Sequence, residues 1–228
     1  MLAKTKETQY QFMVDIKEES GLTQFGLMSN QCWQDDPRRI AFFLARYKFV
    51  SKMLRGKKTA LEVGCGDGFG TRIICQEVPK VTAIDFDPVF VEDVNRRMSK
   101  KWPFTCLVHD MLKGPMPDKY ESAYSLDVLE HILPADEDRF IRNVMGSLSE
   151  HGVFIAGMPS LQSQSYASKQ SKEGHVNCKD HEEFRKLMQG YFHNVFMFSM
   201  NDEVVHTGFG PMAHYLIAMC VTPRQGSR

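Results

Sequence analysis

The sequence predicts an α/β protein: a doubly wound, mostly parallel sheet of seven strands, with an N-terminal helical cover and antiparallel strands at its C-terminal edge. Three observations carry that expectation. From about residue 59 onward, apolar runs alternate with amphipathic stretches in a βαβα rhythm, which requires a parallel sheet covered by helices on both faces. Glycines stand at 64, 66 and 68, where the first apolar run ends and the chain leaves the sheet. The last two apolar runs are joined by a segment without a helical pattern, as in an antiparallel pair.

The N-terminal segment begins polar and becomes periodic in DDPRRIAFFLARYKFVSKML. There Asp36 is placed to cap a helix, Pro37 suits its first turn, and Phe43, Tyr47, Val50 and Leu54 share one face. TALEVGCG is the first strand, and TRIICQEV is the helix after it, which Pro79 helps to end. KVTAIDF is the second strand, followed beyond Pro88 by a helix through VFVEDVNRRMSKKW. TCLVHDM and YESAYSLDVL read as the third and fourth strands, with the turn-rich KGPMPDK between them. PADEDRFIRNVMGSLSEHG gives a helix with an acidic start, closed by Gly152, and GVFIAGMP gives the fifth strand.

The next stretch, LQSQSYASKQSKEGHVN, has few apolar anchors and is longer than a plain connection, which marks a lid or a disordered loop. KDHEEFRKLMQGYF resumes as a helix, with Asp180 and Glu183 spaced as a capping box. NVFMFSMN and HYLIAMCV are the two late strands.

Composition narrows the function classes. Lys and Arg number 28 against 28 Asp and Glu in 228 residues, so the chain lacks the basic excess of a protein that grips a phosphate backbone. Cysteines at 32, 65, 75, 106, 178 and 220 form no C-x-x-C pair and read as reduced core thiols. MLAKTKETQYQF lacks the apolar stretch of a signal peptide, and no segment has the apolar length of a membrane helix. A soluble, cytoplasmic protein without a membrane partner is expected.

LEVGCGDG is the strongest motif. A dinucleotide fold wants its third glycine one position later, where this chain has Phe69, and a P-loop wants Gly-Lys-Ser/Thr, which is absent. The second strand ends in AIDFD, placing Asp85 at the carboxyl edge beside the glycines, where a carboxylate can accept both hydroxyls of a ribose. The third ends in HDM, with Asp110 and Met111, and the fourth in SLDVLEH. Four successive strands thus bring polar groups to one rim.

This ordered set resembles the class I S-adenosylmethionine-dependent methyltransferases, over roughly residues 57 to 220. The resemblance implies their Rossmann-like fold and S-adenosyl-L-methionine as cofactor. It implies that Glu62, Gly64 and Gly66, in the glycine loop with Gly68, line the methionine end, that Asp85 binds the ribose hydroxyls and that Phe86 lies along the adenine. Asp110 would accept from the adenine amino group with Met111 on the ring, and Asp127 would sit near the sulfonium. Residues 1–56 then form a helical cover and substrate lid, and residues 57–228 the cofactor-binding catalytic domain. Carboxylates suit this cofactor because its sulfonium and ammonium make it net cationic.

Methyl transfer from a sulfonium is an in-line displacement in which the protein mainly aligns the reactants and excludes water. An alcohol must lose its proton as it attacks, whereas an amine can lose it afterwards. His131, after the fourth strand, and His175, at the end of the polar loop, are the candidate catalytic bases; His206 and His214 are weaker ones. The D-x-x-E-H of Asp127, Glu130 and His131 also resembles the metal-binding E-x-x-E-H of small-RNA 2′-O-methyltransferases and some ubiquinone-pathway O-methyltransferases, with Asp in place of the first Glu. Two carboxylates and two imidazoles could bind a divalent cation, but D-V-L-E-H is widespread in methyltransferases without a metal role, so no metal ligand is assigned.

The fourth strand lacks the Asn/Asp-Pro-Pro-aromatic element of amino-methylating nucleic-acid enzymes, and GMPS after the fifth is not the Pro-Cys of a cytosine-5 enzyme. Trp33, Phe42, Phe43 and Tyr47 are candidates for a pocket wall, and Arg38, Arg39 and Arg46 for an anion on the substrate, although a solvated helix face accounts for at least two of the three. A polar lid favours O-methylation of a sugar or glycan precursor, a small-molecule acceptor without nucleic acid. N-methylation of an amino sugar or other amine, O-methylation of a quinone-pathway phenol, and a non-catalytic cofactor-binding module are the alternatives.

Overall fold

Alternation of side chains along the strands decides the layering. The computed structural model describes residues 3–224, so the outer ends of the two expected domains, residues 1–2 and 225–228, lie outside the described residues. Strands β1 (Thr59–Val63), β2 (Lys80–Asp85), β3 (Thr105–Val108), β4 (Tyr120–Leu126), β5 (Leu148–Pro159), β6 (Phe192–Asn201), β7 (Val204–His206) and β8 (Tyr215–Pro223) form one sheet in the order β3-β2-β1-β4-β5-β8-β6-β7. The first five run parallel; β8 is antiparallel to both β5 and β6.

The helices are α1 (Gln11–Ser20), α2 (Leu27–Asp35), α3 (Arg38–Met53), α4 (Thr71–Ile74), α5 (Pro88–Arg96), α6 (Glu137–Gly146), α7 (Lys169–Gly174) and α8 (His181–Gln189). Ala60, Val81, Tyr124 and Ile217 face α3 and α4, packing with Tyr47, Val50, Leu54 and Ile74. Leu61, Ile84, Phe154 and Leu216 face the other way, onto Phe140, Ile141 and Val144 of α6 and Phe184 and Met188 of α8. Period-two strands between two amphipathic helix layers therefore give a large apolar cluster on each face, with a smaller third one of Ala83, Val91, Val94 and Cys106 where α5 covers β2 and β3. Each large side chain buried in them contributes about 1.5–3 kcal/mol. Among the described residues no helix is long and apolar enough to cross a membrane.

Several boundaries differ from the sequence reading. The sheet has eight strands, because Asp202 adopts φ 50° and lets Asn201 pair with Val204 across a two-residue turn, adding β7 within the expected connection. The helix through TRIICQEV is a single turn, Thr71–Ile74. The helix after the fourth strand ends at Gly146, and Gly152 lies inside β5, where the register shifts between Tyr120 and Ser122. The polar stretch after Pro159 is ordered as a short 3-10 helix, Gln162–Tyr166, and α7. The capping box is present: Asp180 accepts from the Glu183 N–H and Glu183 from the Asp180 N–H.

Candidate active site

The strand order reverses between β1 and β4, each leading to a connection on opposite sides, and the crevice at their carboxyl ends is where such sheets bind ligands. The loop after β1 crosses it. Gly64, Gly66 and Gly68 hold φ of 77°, 51° and 63°, left-handed values that favour glycine. A Cβ on Gly66 would come within 2.5 Å of Met28 Sδ, and one on Gly64 within 2.3 Å of a Val128 methyl, so the loop admits close neighbours above and beside it.

Asp85 ends β2, and its carboxylate accepts from the Gly66 N–H at 2.9 Å and the Asp87 N–H at 3.0 Å, which ties it to the glycine loop. Phe86 is 74 % exposed on the rim. Asp110 accepts from the Leu112 N–H, while Met111 is buried in the main apolar cluster and supports the rim from below. Glu62 is buried on the α3 face: it accepts from Tyr47 Oη at 2.8 Å and Thr71 Oγ1 at 2.5 Å. Burial raises its pKa to about 7, against the lowering effect of these two hydroxyls.

Asp127 follows β4 with φ 57°, an unusual conformation for a residue bearing a Cβ. Its oxygens receive Arg46 Nη1 at 2.6 and 2.8 Å, and the guanidinium lies 3.7 Å above the centre of the Tyr215 ring. Arg38 and Arg39 instead pair on the surface with Asp36 and Asp35, so two of the three arginines belong to a solvated helix face.

Next along the chain, Glu130 is fully buried and neither carboxylate oxygen has a hydrogen-bond partner. Burial, and then the charge of Asp127, push its pKa well above the ordinary carboxylate range. His131 Nδ1 lies 2.8 Å from the Gly174 carbonyl, and His175 Nδ1 lies 2.8 Å from Gln164 Oε1. The two imidazoles meet edge to face at an interplanar angle of 68°, ring centres 5.1 Å apart, and one ligand atom from each of Glu130, His131 and His175 lies within 4.8 Å of the others. Asp127 is not in that group of three; it is engaged by Arg46. Burial and the neighbouring His131 lower the His175 pKa, with Asp127 opposing.

The other sequence candidates are held elsewhere. His206 bonds Asn201, and His214 Nε2 accepts from the Asp202 N–H, both at the β6–β7 turn. Phe42, Phe43 and Tyr47 belong to the apolar cluster under α3, whereas Trp33 is half exposed against Phe25. Sequence reasoning missed Asp67, Arg97 and Tyr215. Asp67 is buried in the glycine loop and accepts from both the N–H and the hydroxyl of Ser29, anchoring α2 over the loop. Its sequence position inside the glycine motif was the available signal.

Comparison with known proteins supports the class. Residues 61–156 match the family described as Methyltransferase domain. A Mycobacterium tuberculosis protein named "Probable S-adenosylmethionine-dependent methyltransferase" is 27% identical over 123 residues, 52% of this chain and 43% of that protein. A Mycolicibacterium smegmatis relative is 26% identical over 124 residues, 52% and 46% of the two chains. The match thus spans less than half the length of these curated relatives.

Among solved structures, the N-methyltransferase NodS of Bradyrhizobium japonicum WM9, in complex with S-adenosyl-L-homocysteine, aligns with a TM-score of 0.60 at 18% identity, over 84% of this chain and 91% of NodS. The plantazolicin methyltransferase BpumL, bound to a desmethyl analogue and the same product, aligns at 0.64 and 14% identity over 95% and 94%. Sheet order, motif order and the match over residues 61–156 together support a class I S-adenosylmethionine-dependent methyltransferase domain. The residues present fit that cofactor: the crevice offers carboxylates and glycine backbone, an anionic donor set suited to a cationic ligand.

Proposed function

We propose that the protein O-methylates a polar small molecule, such as a sugar or glycan precursor, by in-line transfer assisted by a general base. The cofactor, when bound, supplies the electrophilic methyl group. Residues 1–56 serve as cover and lid, and residues 57–228 as the catalytic domain. Asp85 takes the ribose hydroxyls, Phe86 and Asp110 the adenine with Met111 behind it, and Glu62 at the end of β1, the loop glycines Gly64, Gly66 and Gly68, and Asp127 the methionine end.

The observation that carries the base assignment is the meeting of His131 and His175 beside the end of β4. A carbonyl only accepts, so His131 Nδ1 carries the hydrogen that it gives to Gly174, leaving Nε2 with a free lone pair. The same holds at His175 with Gln164 Oε1. Its lowered pKa keeps the His175 imidazole neutral at neutral pH, the form that can accept a hydroxyl proton.

The test is mass spectrometry of a metabolite extract incubated with the full chain and methyl-labelled cofactor. A labelled O-methyl product among small polar compounds is expected, and label on nitrogen only would overturn the O-methyl reading. With that acceptor, His131→Ala and His175→Ala should lower turnover by about a hundredfold or more, with cofactor affinity little changed; full activity in both removes them as bases.

A second reading is favoured by the unpartnered Glu130 carboxylate. With His131 and His175 it would hold a divalent cation near the acceptor. Exhaustive chelation would then abolish turnover and added cation restore it, whereas the general-base reading expects no loss.

A further inference from the structure

We infer that Gln164, on the polar stretch after β5, is a positioning residue that fixes the tautomer of His175 and so makes the ring Nε2 its basic nitrogen. This rests on the reading of His175 as a base in the reaction.

An amide and a neutral imidazole can pair at 2.8 Å in either sense, the carbonyl facing an N–H or the amino group facing a lone pair. The second contact of Gln164 removes the choice. Its other amide atom lies 3.2 Å from the Ser160 carbonyl oxygen, which only accepts, so that atom is the amino nitrogen. The same atom lies 3.2 Å from Ser163 Oγ, whose own hydrogen goes to the Ser160 carbonyl at 2.7 Å, so the hydroxyl receives as well. With the amino group committed on that side, Oε1 faces His175 and the imidazole must donate from Nδ1. The ring Nε2 is left as the acceptor.

The carbonyl at the root of this series of bonds is itself held. Ser160 is fully buried directly after β5. Its N–H donates to the His214 carbonyl at 3.0 Å and its hydroxyl to the Ala213 carbonyl at 2.7 Å, while the Leu161 N–H donates to the Lys179 carbonyl at 2.8 Å. The 3-10 helix that follows is otherwise solvated: of its five residues only Ser163 and Gln164 are turned from solvent, the two that carry the bonds. The end of the sheet thereby reaches His175 through one side chain. Without that acceptor the ring would return to the Nε2–H form that a free histidine prefers in water, and the nitrogen meant to take the proton would already carry one.

The experiment is long-range proton–nitrogen correlation NMR of the full chain with isotope-labelled histidine, at about pH 8, where imidazoles are neutral. The His175 signals are those lost in His175→Ala. The unaltered chain should show Nδ1 as the protonated nitrogen of that ring. Gln164→Met, which keeps much of the side chain's length and removes its acceptor, should move the hydrogen largely to Nε2. In the same variant, methyl transfer from labelled cofactor to the metabolite extract should fall about tenfold, less than in His175→Ala, with affinity for S-adenosylhomocysteine unchanged. Ser168→Ala removes the cap of α7 without touching either residue and should keep the Nδ1–H form. A ring protonated at Nε2 in the unaltered chain, an Nδ1–H form that survives Gln164→Met, or an equal shift in Ser168→Ala would overturn the inference. A tautomer that shifts as expected with no loss of transfer would instead sink the base reading on which it rests.

Discussion

Burial at Glu62 sets up a pH dependence that can be measured without any ligand. Its folded-state pKa of about 7 lies above the ordinary 4.5, so between those values the folded chain holds a proton that the unfolded chain releases. Stability contributed there is present at low pH and falls as pH rises through about 7. Glu62→Gln removes the cost of ionising a buried carboxylate. Relative to the unaltered chain, the variant should gain up to about 3 kcal/mol between pH 5 and pH 8, read by thermal or denaturant unfolding at each pH; a difference that does not vary with pH would contradict the assignment. Asp85 and the three glycines were legible in the sequence because their requirements are local: a strand end, a left-handed turn, and a backbone N–H next door. The fate of Glu62 was less so. The period of β1 turns it toward Tyr47, a partner that the sequence places on another element. Arg46 was one of three equivalent arginines until a partner 81 residues away distinguished it.

At the scale of elements, α2 shows what local patterning omits. Its first turn is held from outside: Asp67 accepts from Ser29 N–H and hydroxyl at 2.7 Å each, Asp93 from the Leu27 N–H, and Arg97 links Asp93 to the Asp67 carbonyl. Apart from Ser29, whose hydroxyl accepts from the Gly26 N–H, the capping of this helix comes from across 38 residues and leaves no signal in its own sequence. Asp67→Ala should therefore release α2 from the glycine loop at a local cost of about 1–3 kcal/mol. Amide exchange in residues 26–35 would rise severalfold while β1, β4 and β5 stay protected; unchanged protection in α2 would show that apolar contacts alone hold it. The same reasoning explains β7, where Asp-Glu supplies the turn without the glycine that usually marks one. The helices α5, α6 and α8 were legible because each has a strong apolar face and a proline or acidic start. Their ends were not, since Gly146 and not Gly152 stops α6.

For the whole molecule, equal numbers of acidic and basic residues conceal a local order. The reversal of strand order between β1 and β4 gathers Asp85, Asp110 and Asp127 around one crevice, with Arg46 as the cation within it. The parallel core was legible from alternation alone, and the rim from the residues that end successive strands. The acceptor was not, because side chains that meet across long separations, as His131 and His175 do, are paired by no local pattern. The rim is the center of the account, and equilibrium binding tests it most directly. Titration of S-adenosylhomocysteine into the full chain should give saturable binding at one site, and Asp85→Ala should weaken it by about tenfold or more as the charge-assisted bonds to the ribose are lost. No saturable binding, or an Asp85→Ala variant that binds as tightly as the unaltered chain, would contradict it.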